Sequence, residues 1–367
     1  MFDPTYRITN NLLKYIGRIE ACKEIIYNSP LVPAWEAKFR EDARVRTIHF
    51  GTRIEGNDLT KEQASLLIQS EEGTAPATVV GESVGISARE RDIQEVLNYR
   101  NVMNWIDEWG GYNTRKIEYS EHLLKTLHTL TTKNILPPEQ VGQYRTQQVV
   151  IRSATDGQVV FRPPIHLEIP TYIQNLMLWL NDPQAQEIHP VLRAGMAHYE
   201  LVRIHPFIEG NGRTARAFSL LVLYAEGYDV KKLFSIEEYF DKDIDGYYKA
   251  ILSVQQSETT DMTYWLEYFC FGLAVELDRV KAQVLKLSQD AKLKDKLGGV
   301  QIALTERQIA ILELLQEKKS ATTTEVNKIL PLISQDTILR DLKDMMQKGL
   351  LKKEGVTKGV VYYLNER

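Results

Sequence analysis

Cysteine is nearly absent: Cys22 and Cys270 are the only two in 367 residues, and they lie far apart. That spacing excludes a zinc knuckle and a Cys-x-x-Cys redox pair, and both are read as buried free thiols in a reducing compartment. No apolar run approaches the roughly 18 residues a membrane-spanning helix needs. The start, "MFDPTYRITN", also lacks the basic and apolar regions of a signal peptide, so the expected location is the cytoplasm, with no membrane partner. Neither sign of charge dominates. Lys and Arg number 45 against 49 Asp and Glu, a net charge of -4, so charge alone names no ligand. Internal repeats and low-complexity tracts are missing as well.

What is present is helical periodicity. The length predicts two or three domains. From Pro33 to Ile68 the pattern reads as helices interrupted at Gly51 and Gly56, with Asp58 or Thr60 as the next cap, and residues 71–87 read as a loop. Apolar residues recur at helical spacing over 89–109, 120–132, 170–181 and 189–204, and again after 213 up to a glycine cap at Gly227. Residues 147–162, "QQVVIRSATDGQVVFR", change period around a "DG" turn and predict a β-hairpin. The stretch after Trp265 grows steadily more charged towards Gly298 and Gly299 and reads as a helical spacer, with a boundary near 300. The remainder reads helix, helix, helix, hairpin, with a turn at Thr357 to Gly359, the order of a winged helix-turn-helix.

Chemistry concentrates in "HPFIEGNGRTAR", residues 205–216. Gly210 and Gly212 bracket Asn211 just before a helix, where a tight turn can aim several amides at one anion, phosphate above all. Arg213 and Arg216 are three residues apart in the first helical turn and can grip phosphate oxygens bidentately. A polyphosphate normally arrives with magnesium, and Glu209 is the carboxylate beside the amides, the metal candidate. His205 precedes Pro206, and its imidazole can take a proton from an attacking hydroxyl, which makes it the candidate general base. A P-loop is excluded, because "GNGR" lacks the Gly-Lys-Ser/Thr and the preceding strand.

This segment resembles the signature of the Fic family, His-x-Phe-x-Asp/Glu-Gly-Asn-Gly-Arg-x-x-Arg, at every specified position. The resemblance implies a mainly α fold: a helical Fic core with a β-hairpin flap, here followed by the winged helix. It implies transfer of AMP from ATP to a Ser, Thr or Tyr hydroxyl of a target protein, with release of pyrophosphate. By that likeness His205 is the base and Phe207 anchors the loop. Glu209 holds Mg2+, with Mn2+ as an alternative. Gly210, Asn211 and Gly212 form the anion hole, Arg213 steadies the phosphates and Arg216 reaches the γ-phosphate. "GQYRTQQVVI", residues 142–151, is similar to the family's Gly-x-Tyr-Arg segment, and the 147–162 hairpin resembles the flap that aligns a target by β-augmentation. Tyr247 in "YYKAIL" lies where the family often places an aromatic residue near the adenine. An amphipathic helix burying Tyr248 and Ile251 accounts for the same letters.

"IEGN", residues 54–57, resembles the family's inhibitory motif, Ser/Thr-x-x-x-Glu-Gly/Asn, whose glutamate pairs with the second arginine. Here that pair is Glu55 with Arg216. The chain departs from the motif at Gly51, where a hydroxyl residue is expected, and Thr52 is offset by one. "DKDIDG", residues 241–246, imitates a calcium loop, but its twelfth position is Leu252 rather than glutamate, so it reads as a capped turn.

The domains expected are 1–110, a helical region with the inhibitory motif; 111–275, the catalytic core; 276–300, a linker; and 301–367, the winged helix. In that last segment Gln335, Asp336, Thr337 and Arg340 would open the recognition helix, and Lys352, Lys353 and Lys358 the wing. Its net charge of +2 leaves DNA and protein partners equally open, and a homodimer is open too. The rivals to AMP transfer are AMP removal, another Fic-type phosphoryl or nucleotidyl transfer, and a DNA-binding regulator with a nucleotide-sensing core.

Overall fold

A computed structural model describes residues 2–29, 31, 33–70, 75–109, 117–152, 157–296, 304–331, 333–355 and 360–365. The chain divides into two compact units, Met1–Ser288 and Gln289–Arg367.

The first unit opens with α1 (Asn10–Asn28), capped by the Thr9 hydroxyl, which accepts from Leu12 N–H. It continues through α2 (Pro33–Arg53), α3 (Lys61–Gln69), α4 (Ala77–Ser83), α5 (Glu90–Asp107) and α6 (Glu121–Thr132). Gly51 does not interrupt α2, contrary to the spacing argument. The helix runs through it and ends at Arg53, and Gly56 takes the left-handed turn at φ +88°. Thr60, not Asp58, caps α3, in a reciprocal capping box with Gln63. Part of the expected loop at 71–87 is the helix α4, whose Ala77 and Gly81 are buried; residues 71–74 lie outside the described residues.

The predicted hairpin is present as β1 (Ile151–Arg152) and β2 (Val159–Phe161), antiparallel with an irregular register. Gly157 supplies positive φ, and the rest of the turn, including Asp156, lies outside the described residues. Then follow α7 (Ile169–Asn181), α8 (Pro183–Gln186), α9 (Pro190–Ile204), α10 (Asn211–Ala225), α11 (Ile236–Lys242), α12 (Ile244–Gln255) and α13 (Thr263–Lys296). Gly227, at φ +77°, closes α10: its N–H bonds to the Tyr224 carbonyl, and Tyr228 N–H bonds to that of Leu223. "DKDIDG" straddles the break between α11 and α12. Asp243 sits at the junction, and Asp241 faces Arg53 at 3.6 Å.

One hydrophobic core runs from Leu12 to Val284, and the helices before residue 110 share it with those after. α9 and α10 pack side by side at its centre, with α5 and α6 against α10. Polar ties fix the surroundings. Asn98 on α5 donates to the Thr131 and Lys133 carbonyls at the end of α6 (3.0 and 2.7 Å). Buried Arg46 pins α2 to α11 and α13 through Glu238 (2.6 Å) and Glu276 (3.2 Å). Both cysteines are free and buried. No helix among the described residues is long and apolar enough to cross a membrane.

The second unit contains α14 (Glu306–Lys318), β3 (Ser320–Thr322), α15 (Thr323–Ile329), α16 (Gln335–Gln347), β4 (Leu351–Glu354) and β5 (Val361–Leu364). The strands form an antiparallel sheet in the order β3-β5-β4, around a small core that includes Ile311, Val326, Ile338, Leu342 and Tyr362. The turn expected at Thr357 to Gly359, with Lys358, lies outside the described residues.

Candidate active site

The loop between α9 and α10 brings the 205–216 residues together. His205 ends α9 in the left-handed conformation (φ 49°, ψ 60°), which turns the chain away from the helix. Arg145 holds that turn. Its Nε donates to the His205 carbonyl (2.9 Å), its Nη1 to that of Gln147 (2.8 Å) and its Nη2 to that of Pro164, while its backbone N–H donates to the Pro206 carbonyl (2.9 Å). One buried guanidinium thus ties the loop between α9 and α10 to both ends of the hairpin segment. Phe207 is fully buried and stacks on His128 with ring centroids 3.7 Å apart.

His128 is itself a clamp. Its Nδ1 accepts from Gly142 N–H (2.9 Å), so the neutral ring donates from Nε2 to the Glu209 carbonyl (3.1 Å). Burial holds its pKa down to about 4, which keeps the ring in this neutral form.

Asn211 closes the loop with its side chain. It accepts from Phe207 N–H and donates to the Phe207 carbonyl, both at 2.9 Å. Its side-chain amide is therefore held against the Phe207 backbone, and its own backbone N–H is left at the helix start. Gly210 caps α10 at φ +75° without a side-chain hydrogen bond, and a Cβ there would lie 2.7 Å from Thr132. The first helical bond is Thr214 N–H to the Gly210 carbonyl, so the amides of Asn211, Gly212 and Arg213 precede the ladder and face outward from a positive helix end.

Around this anion cradle the charged side chains neutralise one another. Arg216 is only 1% exposed, and its Nη2 donates both to Glu55 Oε1 and to the Gly51 carbonyl, each at 2.8 Å. Glu55 is 32% exposed along its side chain, although protein atoms crowd its carboxylate. Burial pushes its pKa up, Arg216 and Arg213 outweigh that effect, and the group stays ionised below the usual carboxylate range. Arg213 lies 3.1 Å from Glu95 and 3.3 Å from Glu209. Glu209 is also paired with Arg91 of α5. Both pairs fall on Oε1 of this partly exposed carboxylate; Mg2+ takes one or two protein carboxylates and fills its shell with phosphate and water oxygens, so Glu209 beside the amide cradle fits such an ion in competition with the arginines.

His205 is partly buried, and burial lowers its pKa to about 4, against the opposing influence of the Val202 carbonyl and Glu55. Its imidazole is therefore neutral at pH 7 and able to accept a proton.

Tyr247 does not join the site as an adenine platform. It is buried, with its hydroxyl 2.8 Å from His198 Nε2 and its ring stacked on Phe240 at 4.7 Å, so it has no free face for a base. Tyr248, which the amphipathic spacing buries, is exposed instead, while Ile251 is buried. Sequence reasoning missed the roles of His128, Arg145, Arg91 and Glu95. The available signals were an arginine inside "GQYR" and an i,i+4 pair on α5.

The Gly51 departure has a steric cause. A Cβ at this position would lie 2.8 Å from Tyr99 Cε1, so the close packing of α2 on α5 demands glycine. Thr52 donates to the Ile48 and His49 carbonyls of its own helix, at 3.0 Å each, and gives no hydroxyl to Glu55.

Residues 118–223 match the Fic/DOC family, so the chain contains a domain of that family. The protein adenylyltransferase Fic of Drosophila grimshawi is 30% identical over 189 residues, which is 52% of this chain and 35% of that protein. The chain thus spans about a third of the length of the curated relatives it matches. Among solved structures, a Fic family protein from Desulfovibrio desulfuricans is similar over 100% of this chain and 99% of its own (TM-score 0.64, 21% identity). Fic-1 of C. elegans is similar over 76% and 73% (TM-score 0.55, 20% identity).

Proposed function

We propose that this chain is a protein adenylyltransferase that moves AMP from ATP to a hydroxyl side chain of a target protein. The observation that carries this reading is the outward-facing amide cradle at the start of α10, with His205 at one end of the loop, Arg213 in the first turn and Arg216 in the second. The triphosphate would lie on the amides of Asn211, Gly212 and Arg213, with Arg216 directed to its far end.

His205 takes the proton from the incoming hydroxyl. The oxygen attacks the α-phosphorus, and the bond to the leaving pyrophosphate breaks. Positioning and pre-set positive charge supply most of the acceleration in such transfers. Glu209 would hold Mg2+, and the ion would offset phosphate charge. The target segment would pair with the β1–β2 edge, where Val159 and Val160 are exposed.

In the same reading, Glu55 is a brake. A carboxylate that occupies the Arg216 fork takes the donors a γ-phosphate would use, leaving ATP bound unproductively. The second unit is read as a winged helix. Its order α14-β3-α15-α16-β4-β5 supports this, with Gln335, Asp336 and Arg340 exposed at the start of α16 and Lys352 and Lys353 exposed on β4.

The test is mass spectrometry of a cell lysate incubated with ATP and the Glu55→Gly protein. A gain equal to AMP on a Ser, Thr or Tyr of a target supports the proposal. A phosphate gain, or loss of AMP from a modified protein, replaces it with a rival chemistry.

A further inference from the structure

Four charged side chains at the mouth of the cradle close into a ring. Glu95 Oε1 lies 3.2 Å from Arg91 Nε and 3.1 Å from Arg213 Nη1, and Glu209 Oε1 meets both Arg213 Nη2 (3.3 Å) and Arg91 Nη2. Two arginines and two carboxylates alternate, so the ring is neutral. Asn57 of the 54–57 segment donates to the other oxygen of Glu95 (3.0 Å) and to the Asp92 carbonyl (3.0 Å). The segment that presents Glu55 to Arg216 therefore also braces this ring.

The members differ in how firmly they are held. Arg213 and Glu95 are buried, so theirs is the fixed half. Arg91 is 55% exposed and Glu209 32% exposed, so theirs is the half that can open to solvent. Both guanidiniums meet the same oxygen, Glu209 Oε1, so a divalent cation at this carboxylate competes for that oxygen and is repelled by the neighbouring positive charge. A cation that takes Oε1 displaces Arg91, and one that takes Oε2 binds against its charge, so binding is favoured when Arg91 swings away, which its exposure permits.

We propose that Arg91 is a positioning residue that competes with the divalent cation for Glu209 and so sets the metal concentration at which nucleotide binds productively. This rests on the reading of Glu209 as the metal ligand. Arg91 acts as an electrostatic latch, separate from the Glu55 brake. Glu55 occupies the arginine that would meet the far end of the nucleotide, and Arg91 occupies the carboxylate that would meet the metal.

The experiment measures Mn2+ binding by electron paramagnetic resonance, using the full-length protein with a non-hydrolysable ATP analogue. It compares wild type with Arg91→Ala, Arg91→Lys, Arg89→Ala and Glu209→Ala. Arg89 is the charge control: it is exposed and pairs with Asp58 and Asp92, not with Glu209. Arg91→Ala is expected to lower the half-saturating Mn2+ concentration roughly 2- to 5-fold, the range an exposed charge pair can supply. Arg91→Lys should fall between, since it keeps the charge and loses the fork. Arg89→Ala should leave the value unchanged. An unaltered midpoint in Arg91→Ala, with binding abolished in Glu209→Ala, overturns the latch and leaves the metal assignment standing. An equal shift in Arg89→Ala overturns it as a general field effect. Unchanged binding in Glu209→Ala removes the metal assignment and the latch with it.

Discussion

Gly51 and Tyr99 touch so closely that one added carbon on the glycine would sit 2.8 Å from the ring. The contact lets the last turn of α2 lie flat on α5 and brings the Gly51 carbonyl to Arg216. A hydroxyl residue at 51 and this approach of the two helices are incompatible. Gly51→Ser should therefore lower stability by about 1–3 kcal/mol, the usual cost of overpacking a core, with a matching fall in Tm. An unchanged melting temperature would show that Tyr99 yields freely and that the packing is not what excludes the motif's usual residue.

The pH dependence follows from His205. Burial favours its neutral form, so proton acceptance is available above the lowered pKa and is lost as the pH falls through it. Removing Glu55 takes away a negative charge that raises this pKa, so the value moves further down in Glu55→Gly. The acid limb of kcat/KM for that variant is expected well below the ordinary histidine value of 6.5. A limb at or above 6.5 contradicts the assignment of His205 in its observed environment.

Arg145 supports His205 through carbonyls rather than through substrate. Arg145→Lys keeps the charge but cannot reach the His205, Gln147 and Pro164 carbonyls at once. The expected outcome is a fall in kcat of at least about tenfold, with KM for ATP little changed, because the amide cradle lies beyond the turn that Arg145 fixes. A rise in KM for ATP with unchanged kcat would place Arg145 in nucleotide binding instead.

Most of the helical scaffold was legible because burial imposes a 3.6-residue period on helices such as α6 and α9. The motif was legible because its chemistry is local, packed into twelve consecutive residues. Contacts made across long sequence distances were not. Nothing in "HLLKTLHTL" says that His128 bridges two loops, and nothing in α5 alone says that Arg91 and Glu95 meet residues 209 and 213. Gly51 was misread as a helix break because its cause, the Tyr99 ring, lies 48 positions away. Tyr247 and Tyr248 differ by a rotation of about 100° on a helix, and only the surrounding aromatic cluster decides which one turns inward.

Removing Glu55 takes one acceptor from a buried guanidinium that keeps the Gly51 carbonyl. The stability cost should stay below the ~3–5 kcal/mol typical of breaking a fully buried pair, since Glu55 is partly exposed. The variant should therefore fold and can be assayed. The central claim, that ATP lies at the start of α10 and is held back by Glu55, is tested most directly by label transfer from ATP carrying the label at the α-phosphate. Glu55→Gly is predicted to label protein at least about tenfold more than wild type, a change of roughly 1.4 kcal/mol in the barrier, and Glu55→Gly with His205→Ala to label nothing. Equal labelling by wild type and Glu55→Gly, or transfer of a γ-phosphate label instead, would contradict it.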